Sequence, residues 1–424
     1  MTGRRAAAWD AGLYGGSALF ALGAALAASI PLYREWGRLA APAYAVAAII
    51  AALLAVRGTA GVRVRTWLAV AVFVLAALVP LATEATWRAN TGAGLHVQSE
   101  AIVTEQAARA LIRGRDPYAA SFVRGPLAAR PAATATHFPY LPGMLVFGVP
   151  RALDGTSPLS DARVWFALGT LLAAWIALRA WRGPPPARLR AGQVLLALPT
   201  GALLMATGGD DLPVLALLLL SFVLFDADGA SAAGSGAVAG AASALKQPGW
   251  VAVPFLAVAA WRRGGRREGV RFLATWAAIA LPLTVAFAAW NPSAFVEDAI
   301  RFPLGIGQGR SAAGTPTLGS ALTDAMPGLR GPLTVTFAAI VAATAVLLLI
   351  RLRPASAAAA AGACGVTLAV ALVLAPAARI GYAVYPINLL TWAWLLNRSV
   401  RSSATANPST SSGSGSAAPS TSRT

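Results

Sequence analysis

The chain has 424 residues, of which 57% are hydrophobic and 12% are charged, whereas soluble domains carry roughly 25% charged residues. This composition excludes a soluble globular protein and indicates an integral membrane protein. The formal charge of +18 does not indicate a nucleic-acid partner, because the arginines are spread over connecting segments without interleaved aromatic residues. One cysteine and two histidines exclude a disulfide framework and a cysteine or histidine metal cluster.

Apolar runs that approach the ~20 residues needed to cross a bilayer recur along the chain. We count about twelve of them, which predicts an all-α, polytopic transmembrane bundle formed by residues 11–401. The predicted spans are 11–30, 40–56, 66–81, 164–180, 191–206, 212–225, 233–246, 250–261, 272–290, 333–350, 357–375 and 381–396.

Arginine clusters between the spans indicate the orientation of the bundle. Neighbouring clusters are separated by an even number of spans, so all of them fall on one side, which the positive-inside rule makes the cytoplasm. Residues 1–10 are then a cytoplasmic N-terminus, and the C-terminus is cytoplasmic as well. The clusters are Arg4 and Arg5, Arg57 to Arg65, Arg179 to Arg190, Arg262 to Arg267, and Arg351 and Arg353.

The longest segment between spans, residues 82–163, is predicted to be extracytoplasmic and to contain juxtamembrane helices. Its residues 99–114 have helical periodicity and end at a glycine. Glu100 shares a helix face with Val103, Ala107 and Leu111, which predicts that it faces the membrane-embedded body. Partial removal from water there would suit Glu100 to act as a general base. Alternatively, Glu100 is simply a carboxylate favoured at a helix N-terminus.

Two other parts of this loop have more ordinary interpretations. Glu105 points away from Glu100 and has Arg109 four residues on, which predicts a solvated ion pair. Residues 138–150 are apolar but short and rich in proline and glycine, so we interpret them as a juxtamembrane or re-entrant element.

The segment from Glu100 to Tyr118, followed by the run from Phe138 to Pro142, resembles the first extracytoplasmic loop of a known family. That family is the polyprenyl-phosphate-sugar-dependent glycosyltransferases of the C-type membrane fold, and the similarity is greatest to its bacterial α-mannosyltransferase-like branch. The shared pattern is an acidic residue, Ala-Ala-x-Ala-Leu, a glycine, Pro-Tyr and a later Tyr-Pro-Pro. The chain departs from it with glutamate for the usual aspartate and Tyr-Leu-Pro for Tyr-Pro-Pro.

The resemblance implies that Glu100 is the base of an inverting hexosyl transfer and that neither a nucleotide nor a metal is required. The partners would be a polyprenyl-phosphate sugar, a glycan or glycolipid acceptor and the lipid bilayer of the bacterial plasma membrane, with the active face extracytoplasmic. We predict that the substrate cavity includes Asp116, Tyr118, His137, Tyr140, Asp210, Asp211 and Gln247.

Asp210 and Asp211 form an acidic turn before the span 212–225, and a similar turn occurs in the resembling family. Two adjacent carboxylates without a third ligand are a weak metal signal. The plainer interpretation is that they pair with Lys246 or Arg379, or cap the next helix.

Lys246 is the only lysine in the chain and follows the short span 233–246. An ammonium at membrane depth needs an anionic partner, which is either a protein carboxylate or a lipid phosphate. The resemblance favours lipid phosphate, with Arg310 and Arg379 as further candidate ligands. Arg310 lies in a second outside loop, 291–332, and the Ser/Thr-rich tail 402–424 is predicted to be disordered.

Two alternatives to an active transferase remain open at this stage. About twelve helices with intramembrane charge suit a transporter or flippase equally well, although no inverted repeat is visible. A catalytically inactive member of the same fold would also account for the glutamate at position 100.

Overall fold

A computed structural model describes residues 3–58, 60–92, 94–128, 136–226, 232–308 and 313–406. In these residues the fold is all-α, with one isolated bridge between Gly314 and Ala378 in place of any sheet. The helices of the described residues are α1 Gly3–Ala27, α2 Pro31–Arg57, α3 Val62–Thr91, α4 Ser99–Ile112, α5 Val149–Asp154, α6 Ala162–Ala180, α7 Pro185–Thr207, α8 Asp211–Asp226, α9 Ala232–Leu245, α10 Pro248–Trp290, α11 Pro292–Val296, α12 Leu318–Ala325, α13 Pro327–Leu352, α14 Ala357–Leu374 and α15 Val384–Ala406.

Every predicted span coincides with one of these helices, so the polytopic helical bundle is confirmed. Eight of the helices in the described residues are long and apolar enough to cross a bilayer. One of them, α10, contains two predicted spans that meet at a bend, where Gly265 has φ of 69°. The helices α8 and α9 have only 16 and 14 residues. They reach less than the ~30 Å of hydrocarbon at ~1.5 Å per residue.

Members of three of the arginine clusters lie at the same end of the bundle, as their spacing predicts. Asp10 near the start of α1 binds Arg65 of α3 at 2.5 Å and Arg190 of α7 at 3.0 Å. Arg263, next to the bend of α10, donates to the carbonyl oxygen of Phe225 at the end of α8 at 2.6 Å. We call the end of the bundle that carries these arginines the arginine-rich end. The opposite end, which carries α4, α5, α11 and α12, is called the loop end.

The prediction that Glu105 is a solvated partner of Arg109 is wrong. Glu105 is buried, and it accepts hydrogen bonds of 2.8 and 2.6 Å from Arg88. Asp161 also accepts from Arg88, at 2.8 Å, and it pairs with Arg163. The cause is that α3 continues ten residues beyond the predicted end at position 81, to Thr91, and this extension carries Arg88 under α4.

This buried network ties the first loop to the bundle. Burial alone would raise the pKa of Asp161, but the adjacent Arg163 and Arg88 guanidinium groups lower it below its usual value. Asp161 therefore stays charged, and its Oδ1 also accepts from the backbone N–H of Arg163 at the start of α6. Buried ions that are paired and hydrogen-bonded in this way fix α4 in position.

Residues 138–150 do not form a helix long enough to span a membrane, as predicted. They form a 3-10 turn, Pro142–Gly148, that leads into α5. The backbone N–H of Leu141 donates to the carbonyl oxygen of Leu245 at 3.1 Å, which brings this element to the end of α9. In the predicted disordered tail, α15 continues to Ala406, and residues 407–424 lie outside the described residues.

The packing of α1 against α2 gives a prediction about stability. A Cβ added at Gly37 of α2 would lie 2.5 Å from the carbonyl oxygen of Ala21 and 2.6 Å from the backbone nitrogen of Ala25. Alanine there must separate the two helices, so Gly37→Ala is expected to lower the unfolding temperature in detergent. Gly23→Ala on α1 is the matched control, because a Cβ at Gly23 meets nothing within 4 Å. Alanine favours a helix over glycine by about 1 kcal/mol, so the control should be neutral or stabilising.

Candidate functional site

A cavity of about 580 Å³ opens at the loop end of the bundle. Its polar part brings together the start of α4, the end of α9 and the residues just before α15. These elements are distant in sequence, and their helix ends meet because the spans alternate in direction. The polar side chains that line the cavity are Ser99, Glu100, His137, Tyr140, Asp211, Lys246, Gln247, Thr334, Thr367, Arg379, Tyr382 and Tyr385.

Glu100 lies in the first turn of α4 and faces the cavity, as its helical stripe predicts. Its Oε1 makes a direct ion pair with the guanidinium of Arg379, while the Ser99 hydroxyl donates to its Oε2 at 3.4 Å. The side chains of Glu100 and Arg379 are 14% and 30% exposed, so both can reach a molecule in the cavity. The predicted base and one predicted phosphate ligand are therefore neighbours.

Lys246 follows the last residue of α9, and its ammonium is already paired. Its Nζ donates to Asp210 Oδ2 at 2.8 Å and to Asp211 Oδ1 at 2.6 Å. Gly209, with φ of 79°, makes the turn between α7 and α8 in a conformation that suits glycine. This turn presents both carboxylates to the one lysine. The plainer interpretation of the aspartates, as ion-pair partners of Lys246, is confirmed.

Tyrosines surround this charged cluster. The hydroxyl of Tyr385 donates to Asp211 Oδ1 at 2.8 Å, and the ammonium of Lys246 lies 5.2 Å from the ring of Tyr140 and 5.4 Å from that of Tyr382. Hydrogen bonds and ring faces stabilise buried charge. Lys246 thus has fewer donors to offer a bound anion than the sequence predicts. Tyr382 and Tyr385 were not predicted, although their three-residue spacing at the start of the last span would put them on one helix face.

Away from this charged end the lining is mostly apolar, with two threonines, Thr334 and Thr367. Val251 and Pro254 of α10, Phe337 and Val341 of α13 and Leu368 of α14 belong to its lining. Most of the α13 surface faces outward, since Thr334 and Phe337 are its only buried residues among the described positions 327–352. The cavity is therefore amphipathic, with a charged end near the loops and an apolar arm between membrane helices.

A second polar cluster lies beside the cavity and was not predicted as a whole. Asp298, in the π-helical turn Glu297–Arg301, accepts from the backbone N–H of Phe138 at 2.7 Å. The ring of His137 stacks on Phe302 with centroids 4.0 Å apart. The Nε2 of His137 is 4.0 Å from Asp298 Oδ1 and 4.0 Å from Glu297 Oε1. These contacts attach the second loop to the first one.

The carboxyl group of Asp298 is expected to make the stability of the folded protein depend on pH. Burial raises its pKa to about 7, the negative charges of Glu297 and Asp116 add to the rise, and the N–H of Phe138 opposes it. In the unfolded chain the carboxyl has the ordinary value near 3.8. Between these values the folded state holds more protons than the unfolded state, so stability should fall as pH rises from about 4 to about 7 and then level off.

Unfolding temperatures in detergent between pH 4.5 and pH 8 would test this. Asp298→Asn should remove that part of the slope. Asp324→Asn is the matched control in the same loop, because the Asp324 side chain is 61% exposed, and it should leave the slope unchanged. Equal slopes for wild type and Asp298→Asn would contradict the assignment.

Some predicted cavity residues support the wall from behind. Tyr118 is buried and donates its hydroxyl to the carbonyl oxygen of Tyr140 at 2.9 Å, while Asp116 Oδ1 accepts from the N–H of Tyr118 at 3.0 Å. Neither these two residues nor Asp210 lines the cavity. Gln247 does, but its Nε2 donates to the carbonyl oxygens of Pro139 and Ala299 at 3.2 and 2.7 Å, so it joins the two loops. Arg310 lies outside the described residues.

In the described part of the chain, no group of three or more His, Cys, Asp and Glu side chains is placed to hold a metal ion. Between Asp210 and Asp211 the Lys246 ammonium takes the position that a cation would have. Comparison with protein-family models, curated proteins and solved structures gave no match.

Proposed function

We propose that the protein is a membrane glycosyltransferase that moves a hexose from a polyprenyl-phosphate donor to an extracytoplasmic glycan or glycolipid. The observation that carries the proposal is the amphipathic cavity, in which Glu100 and Arg379 meet an apolar arm between α10, α13 and α14. The donor likewise has a charged part and an apolar part, because its phosphosugar is joined to an isoprenoid tail. A mannose-like sugar follows from the sequence resemblance alone.

In this reaction Glu100 removes the proton of the acceptor hydroxyl as its oxygen attacks the anomeric carbon. A new carbon–oxygen bond forms while the bond from that carbon to the phosphate oxygen breaks, which inverts the configuration. The leaving polyprenyl phosphate keeps the bonding electrons, and Arg379 stabilises the negative charge that develops on it. A guanidinium suits this role because its planar fork binds phosphate oxygens in pairs.

The pairing of Lys246 revises the role that we predicted for it. Two carboxylates within 2.8 Å already balance its charge, so it is a poor primary ligand for a second anion. Carboxylates accept hydrogen bonds from hydroxyls, and an ammonium has three donors. We assign Asp211 and Lys246, which both line the cavity, to the hydroxyl groups of the donor sugar.

The orientation completes the proposal. Members of three of the arginine clusters lie at the end opposite the cavity, and positive charge is retained in the cytoplasm. The cavity would then open on the extracytoplasmic face of the plasma membrane, where a lipid-linked sugar donor is presented.

A transporter remains the second candidate, favoured by the buried cluster of Lys246, Asp210 and Asp211, since intramembrane charge often marks an ion or proton path. One experiment separates the two. Membranes with and without the protein receive radiolabelled polyprenyl-phosphate mannose and a native glycan extract, and label should move to the glycan only when the protein is present. If none of several polyprenyl-phosphate hexoses donates label, while sealed vesicles show protein-dependent solute flux, the transporter replaces the transferase.

A further inference from the structure

Arg379 is the cation that the cavity can offer to a new anion. Lys246 has two carboxylate partners, whereas Arg379 has one, Glu100, among the described residues. That one pair is also the more accessible, because Arg379 is 30% exposed and Lys246 is 9% exposed by side chain. Partly exposed ion pairs cost less to break than fully buried ones, so the pair of Glu100 and Arg379 opens more readily than the cluster around Lys246.

The backbone that carries Arg379 is held from the second loop. The N–H of Thr315 donates to the carbonyl oxygen of Ala378 at 3.0 Å, and the Thr317 hydroxyl donates to that of Ala375 at 2.6 Å. Arg379 itself is extended, with φ of −116° and ψ of 143°. Because the backbone next to Arg379 is anchored, the guanidinium can leave Glu100 for another anion by a movement of the side chain alone.

We propose that the phosphate of the donor and the carboxylate of Glu100 compete for Arg379, so that donor binding releases the base. This inference rests on the proposed function and adds an order of events to it. Without donor, Glu100 is held by the guanidinium and cannot accept a proton from water or from an acceptor. When a phosphate takes the guanidinium, Glu100 turns to the acceptor hydroxyl.

The cycle then closes without any further reactant. After transfer, Glu100 carries the acceptor proton and the polyprenyl phosphate remains on Arg379. Departure of the phosphate lets the proton pass to solvent and the ion pair form again. The device would limit hydrolysis, because the base becomes available only while a donor fills the cavity.

The test is a binding cycle that needs no sugar and no turnover. The full-length chain in nanodiscs is titrated with a prenyl phosphate of four isoprene units, and Kd is measured for wild type, Glu100→Gln, Arg379→Gln and the double variant. Glu100→Gln should bind the phosphate about tenfold more tightly, a gain of about 1.4 kcal/mol, because the competitor is gone. Arg379→Gln should bind at least about tenfold more weakly, and in that background Glu100→Gln should have no effect.

Control ligands and variants distinguish binding of the phosphate group from binding of the prenyl chain. The uncharged prenyl alcohol should bind all four proteins equally, and inorganic phosphate should show the same order of variants as the prenyl phosphate, with weaker binding throughout. Arg379→Lys keeps the charge and should fall between wild type and Arg379→Gln, and unfolding temperatures show that each variant is folded.

The outcomes distinguish this inference from the proposed function. Unchanged or weaker binding by Glu100→Gln, or the same effect of that change with and without Arg379, would overturn the competition even if sugar transfer is observed. The expected binding pattern without any sugar transfer would support the competition and overturn the transferase.

Discussion

Replacing Glu100 with glutamine is expected to slow glycosyl transfer by about 10²- to 10⁴-fold, the range that a positioned general base contributes. Glutamine keeps the shape of the side chain but cannot accept the acceptor proton. The measurement is the initial rate of label transfer at saturating donor, with protein levels equalised by immunoblot. Because the same variant should bind a prenyl phosphate more tightly, a slower rate together with tighter binding separates a chemical defect from misfolding.

Glu268→Gln is the matched control for this prediction. Glu268 lies in α10 near the arginine-rich end and pairs at 2.8 Å with Arg271, whose side chain is 44% exposed, so its loss should leave transfer unchanged. Glu100→Asp tests the departure from the resembling family, which uses aspartate, and should retain measurable transfer. A wild-type rate for Glu100→Gln would remove Glu100 from the chemistry.

Replacing Lys246 with methionine is expected to destabilise the fold by about 3–5 kcal/mol, the usual cost of breaking a buried ion pair. Asp210 and Asp211 are each 5% exposed and would be left as adjacent carboxylates without a cation. The measurement is the unfolding temperature in detergent. The matched control is Arg271→Met, which breaks a partly exposed pair of the kind that contributes about 0–1 kcal/mol.

A rescue variant makes the cause of that instability testable. If the loss comes from uncompensated charge, combining Lys246→Met with Asp210→Asn and Asp211→Asn should recover most of the stability. A triple variant as unstable as Lys246→Met alone would mean that the lysine contributes by packing instead. Sugar transfer should remain low in the rescued protein, because the side chains assigned to the sugar hydroxyls are changed.

The sequence predicts the membrane helices and their alternation because these follow from local hydropathy and from the arginine spacing. It also predicts the face of Glu100, since one helix determines which residues share a stripe. The short length of the segment before Lys246 places that lysine near one membrane surface. These features depend on neighbours within about twenty residues, where helical geometry is nearly fixed.

The partners of the charged residues are harder to predict, because they depend on how helices pack. Glu105 meets Arg88 only because α3 runs past its apolar stretch, and Asp298 meets Phe138 across 160 positions of the chain. Glu100 and Arg379 are likewise far apart in sequence. For Lys246 the acidic turn was a usable signal, since a lone intramembrane ammonium requires a carboxylate and few carboxylates are present.

The outward-facing surface of α13 has a consequence for how the proposed donor would be supplied in an assay. Thr334 and Phe337 are the only buried side chains of this helix, and we propose that a prenyl donor, if it is the substrate, enters the cavity past α13 from the bilayer. The relevant donor concentration is then its mole fraction among the surrounding lipids. The apparent KM should therefore rise in proportion when the same donor is diluted with additional phospholipid, even though the volume of the sample is unchanged.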